Sequence, residues 1–154
     1  MPLELITDRT REDVERIGVL RSALQRGTAT EDQRAEWAAG LKGSYNTDDL
    51  NRVQDAAAYL RDMLTAAGYA MEIVPMPTWS RADIPPPAQL KDYLANVHRL
   101  RDVLAVEVAL PQTMARLTWQ GANAIEEALQ QVETLLDNMG KAWFYGGDLY
   151  AGEV

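Results

Sequence analysis

The sequence predicts a mainly all-α fold, a helical bundle of four to five helices crossed by one proline-rich connector, with at most a short strand pair. Three observations carry this. Apolar residues recur at alternating spacings of three and four in several separate stretches, which places them on one face of a helix. Residues that cap helix N-termini stand ahead of those stretches. Only one short run alternates with the period of a strand.

Thr10, before Arg11-Glu12-Asp13, caps a first helix whose apolar residues are Val14, Ile17, Leu20 and Leu24, and Gly27 ends it. Thr30-Glu31-Asp32-Gln33 has the form of a capping box, in which a hydroxyl and an amide each satisfy one unpaired backbone donor. It opens a short helix bearing Trp37 and Leu41, with Gly40 and Gly43 at its end. After a turn at Gly43-Ser44-Tyr45-Asn46, Thr47 or Asp48 caps a long helix with a core face of Leu50, Val53, Ala57, Leu60 and Leu64. Ala66-Ala67-Gly68 stops it. Tyr69 to Val74 then alternates as one short strand would, without an obvious mate.

From Pro75 to Pro87, five prolines hold the backbone extended and withhold ladder donors, while Trp79 suggests a segment packed onto the surface. A fourth helix begins at about Ala88, with Leu90, Leu94, Val97, Leu100 and Leu104 inward. Thr118 caps a fifth, whose Ala122, Ile125, Leu129, Val132, Leu136, Met139 and Trp143 form the cleanest periodicity in the chain. That stripe reads either as the central helix of a bundle or as a coiled-coil seam. The expected organisation is a single domain over 1–154: N-terminal helices at about 10–68, a connector at about 69–88, C-terminal helices at about 89–145, and an aromatic, glycine-rich tail at 146–154.

At 154 residues, with 47% hydrophobic and 25% charged residues, the chain has the composition of a globular domain with a real core rather than of a disordered segment. With no cysteine, it can build no disulfide, thiolate metal site or cysteine nucleophile. The N-terminal stretch lacks the basic and apolar regions of a signal peptide, and no run approaches a membrane span, so synthesis in the cytoplasm without export by a signal peptide is expected. A formal charge of −8 opposes direct binding to nucleic acid, which needs clustered Lys or Arg.

His98 is the sole histidine, which removes histidine-based triads and metal clusters within one chain, and its place beside the fourth helix's apolar face suits the rim of a core. Asp48-Asp49 and Glu126-Glu127 are adjacent pairs that point in different directions on a helix, and helix-end electrostatics accounts for them. No calcium-loop or nucleotide-binding spacing occurs. The expectation is therefore no enzyme, no catalytic or metal-binding residue and no cofactor. The candidate interaction residues are Trp143, Phe144, Tyr145, Leu149 and Tyr150, in a terminal segment too aromatic for a disordered tail, and Trp79 in the connector. The terminal segment either folds back or docks on a neighbour.

Several segments together resemble a group of small proteins encoded among the structural and tail genes of phages and prophages of Gram-positive bacteria. They are Leu5-Ile6-Thr7-Asp8-Arg9-Thr10, Glu36-Trp37 with Leu41 to Val53, and Asp83-Ile84-Pro85 leading to Tyr93 to Val97. Leu117-Thr118-Trp119 with Ala122 to Glu126, and the ending Gly147 to Val154, complete them. The resemblance covers nearly the whole length, includes no catalytic signature, and implies a virion or tail-associated structural protein. Its partners would be other virion or tail proteins, or copies of itself, with no membrane insertion and no small-molecule ligand. A tail-tip module binding receptors or carbohydrate, through Trp79 or Tyr150, and an acidic intracellular regulator of a host protein are the alternatives.

Overall fold

The computed structural model describes residues 3–152, with the side chains of residues 3–141. Among these the chain forms five helices and no strand: α1 Arg11–Arg26, α2 Glu31–Ala39, α3 Thr47–Ala66, α4 Pro87–Val103 and α5 Trp119–Gly152. The predicted helical bundle is the observed fold.

Helices α3, α4 and α5 pack on one another, and the face of α3 read from the sequence is buried in full. It meets Tyr93, Leu94, Val97 and Leu100 of α4 and Ile125, Ala128, Leu129, Val132 and Leu136 of α5 in one apolar cluster. The α5 stripe is thus a bundle core through Leu136 rather than a bare seam. Helix α1 packs chiefly against α2. It buries only Ile17 and Leu20, α2 buries nothing fully, and Val14, expected to face inward, is exposed. Two capping boxes, Thr10 with Asp13 and Thr30 with Gln33, start these helices, and Gly27 ends α1 with φ 73°. That left-handed conformation is one glycine adopts without a Cβ penalty.

Three expectations need correction. The cap of α3 is Asn46, whose Oδ1 accepts from the amides of Asp48 and Asp49 while Asp49 reaches back to the Asn46 amide. Residues 69–74 are extended but form no strand. A lone strand leaves its amides unpaired, and here no second strand pairs them: the Tyr69 N–H closes onto the Leu64 carbonyl, and the Val74 backbone is met by Asn96. Finally, the backbone of α5 continues through Gly152, past the 145 expected. Elongating an existing helix adds a hydrogen bond per residue, so glycines weaken it without ending it. The side chains of Trp143, Phe144, Tyr145, Leu149 and Tyr150 lie outside the described residues.

The extended segments are held by a repeated device. The amide of Asn96 on α4 donates to the carbonyl of Val74 and accepts from its N–H, both at 2.8 Å. Asn51 on α3 treats Trp79 the same way at 2.8 and 2.9 Å, and Asn123 on α5 treats Arg9 at 2.9 and 3.0 Å. A carboxamide offers the donor and acceptor of a peptide group, so each asparagine supplies one rung of a ladder from a helix surface.

Candidate interaction surface and the buried charge cluster

The N-terminal strap, residues 3–10, runs along α5 in the opposite direction. The Leu3 amide donates to Glu133, the Ile6 amide to Glu126 and the Arg9 amide to Asn123, so rising strap numbers meet falling helix numbers. Leu3 and Leu5 pack against the core beneath. The strap ends in a buried guanidinium. Arg9 Nη2 lies 2.6 Å from Glu126 Oε2 and 3.2 Å from Asp49 Oδ1. Arg52, one turn along α3 from Asp49, bonds Asp49 at 2.6 Å and Glu126 Oε1 at 2.7 Å.

Two arginines and two carboxylates make the cluster neutral. Its remaining polar atoms are used as well: Arg9 donates to the carbonyls of Ile6 and Lys42, and no buried side-chain polar atom among the described residues lacks a partner. Burial works against the charge on Arg52, but the hydrogen bonds with Glu126 and Asp49 outweigh it and hold the proton more tightly than usual. The Arg9 guanidinium stands 5.5 Å from the centre of the Tyr45 ring, and the Tyr45 and Tyr93 hydroxyls share a hydrogen bond. Desolvation pushes both phenols well above their ordinary value, so both stay protonated.

Glu126 has no exposed surface. Its charge is saturated by Arg9, Arg52 and the Ile6 amide, which suits anchoring the strap across α3 and α5. Helix-end electrostatics was therefore the wrong reason for Glu126, and an incomplete one for Asp49. A signal was present. Glu126 lies four residues after Ala122 and three before Leu129, inside the apolar stripe, where a carboxylate requires a buried partner.

Trp79 is not available as a contact residue. It is 6% exposed, packs edge-on to Tyr93 at 6.3 Å, and donates from Nε1 to Gln89. Its indole pins the connector to the core, as expected of a tryptophan in a packed segment. His98 is half-buried at the edge of α4, with Nε2 donating to the Pro111 carbonyl at 2.9 Å. No group of acidic or histidine side chains suited to a metal ion occurs among the described residues, and no helix there is long and apolar enough to cross a membrane.

The surface offers two notable concavities. One, of about 560 Å³, lies between the C-terminal end of α2 and the connector and is lined by Trp37, Leu41, Tyr45, Ile84 and Pro85. Trp37 is 38% exposed and Ile84 92% exposed. The other, of about 800 Å³, lies between α4 and residues 112–115. No protein-family model, curated protein or solved structure matches the chain.

Proposed function

We propose that the chain is a virion or tail-associated structural protein of a phage or prophage and acts through protein–protein contacts. The sequence resemblance supports this reading across nearly the whole length. The observation that carries it is the apolar concavity beside Trp37 and Ile84, where large side chains remain in water next to one another. Adjacent exposed apolar groups of this kind favour burial against a partner. The neighbour would be another protein of the particle. Stacking on cell-wall sugars loses one of its two aromatic candidates with the burial of Trp79.

The test is peptide mass spectrometry on gradient-purified particles after prophage induction in the source strain. The protein is expected in stoichiometric amount, and Trp37→Asp with Ile84→Asp is expected to reduce its incorporation while leaving helicity intact. Absence from intact, tail-bearing particles would overturn the reading.

A further inference from the structure

We propose that the α4 groove receives residues 142–154 of a second copy of the chain. This rests on the reading of the protein as one that acts through protein–protein contacts, and adds a contact between copies to the one at Trp37 and Ile84. The groove has a floor of Leu90, Leu94 and Met114, bounded by His98, with Lys91 and Arg99 along the rim; its one carboxylate, Asp102, is answered by Arg101. Both cations are exposed, and among the described residues neither has a carboxylate partner. Arg99 reaches only the Asn96 carboxamide. The neighbouring Arg101, by contrast, is paired with Asp102. Two unpaired cations over one apolar floor select an acidic, apolar occupant.

Residues 142–154 have that chemistry. They contain Trp143, Phe144, Tyr145, Leu149 and Tyr150, the acids Asp148 and Glu153, and no lysine or arginine. The helix that carries most of them selects a second molecule. At 34 residues α5 is about 51 Å long, against about 25 Å for the 17 residues of α4 beside which it packs. Full burial among the described side chains of α5 ends at Leu136, about 24 Å before the helix's last residue, so a continuous α5 runs on past the helices that cover it. Donor and acceptor are different surfaces, so the contact closes as a reciprocal pair or a ring, or propagates as a chain.

Sedimentation of the full chain over a range of concentrations and salt tests this. The wild-type protein self-associates, less so in high salt. Lys91→Glu with Arg99→Glu, and separately Asp148→Lys with Glu153→Lys, each weaken association by on the order of tenfold or more, with unchanged circular dichroism. Mixing the two variants restores it as a hetero-assembly. A wild-type chain that stays monomeric at ~100 µM, association persisting in both variants, or no recovery on mixing overturns the proposal. Particle incorporation is a separate readout. A monomer found in particles overturns only this contact, and a self-associating protein absent from particles overturns only the virion reading.

Discussion

The α3–α5 body and the α1–α2 hairpin are both helical and both well capped, yet they are held in different ways. In the body, eighteen buried residues form one cluster to which neither α1 nor α2 contributes. Asparagine clamps and a buried ion network then fasten extended segments onto its helices. The hairpin has two buried apolar residues, Ile17 and Leu20, and an exposed pair, Arg16 with Glu36, at 2.8 Å. Its links to the body include Arg9, Asp8 with Lys42, the bond from Arg81 to the Ala38 carbonyl, and the close approach of Gly43 to Asp13. Good local signals therefore specify a helix without specifying how deeply it is buried.

The difference can be broken most forcefully at the cluster. Glu126→Ala leaves the buried Arg9 and the half-buried Arg52 short of charge and is expected to cost about 3–5 kcal/mol, read as a lower denaturant midpoint of the whole domain. A loss near that of a surface substitution would show that water reaches the cluster. Asn96→Ala removes both partners of the Val74 backbone and should cost about 1–3 kcal/mol, again in the global transition. Gly43→Ala sharpens the comparison. A Cβ there collides with the Asp13 carbonyl, so the hairpin must shift, at about 1–3 kcal/mol, and increased protease cleavage within α1 and α2, with the body intact, is the expected readout.

The smallest effect belongs to the exposed pairs. The hydrogen bond from Arg16 holds the Glu36 carboxyl below its ordinary value, and Lys42 does the same for Asp8. A carboxylate with a depressed value contributes stability that is present above its unfolded value and lost as pH falls through the folded one. Both groups are solvent-exposed, so acid titration should move the hairpin's amide signals before any change in the global melt. Arg16→Ala should remove the Glu36 part of that response.

The helices were legible because their signals are local: Thr10, Thr30 and Thr118 stand where caps are found, and Leu50 to Leu64 lie on one face as spaced. Asn46 was missed as a cap because Thr47 and Asp48 beside it are equally good candidates. The clamps and the charge cluster were not legible. Arg9 and Glu126 are 117 positions apart, and only packing brings them together. Val14 shows the opposite limit, since a helical apolar spacing reveals a face but not whether a neighbour covers it. For the candidate contact residues, an aromatic ring suited the surface and the core equally, and burial decided Trp79.

Native-state hydrogen exchange, resolved by residue, measures the comparison directly. Amides of Leu60, Leu64, Leu100 and Leu129 should exchange only through global unfolding, with one common free energy and full denaturant dependence. Amides in the centres of α1 and α2 should exchange far faster, through a local opening that depends little on denaturant. Hairpin amides protected to the same free energy and slope as the body would contradict the account and show one cooperative unit.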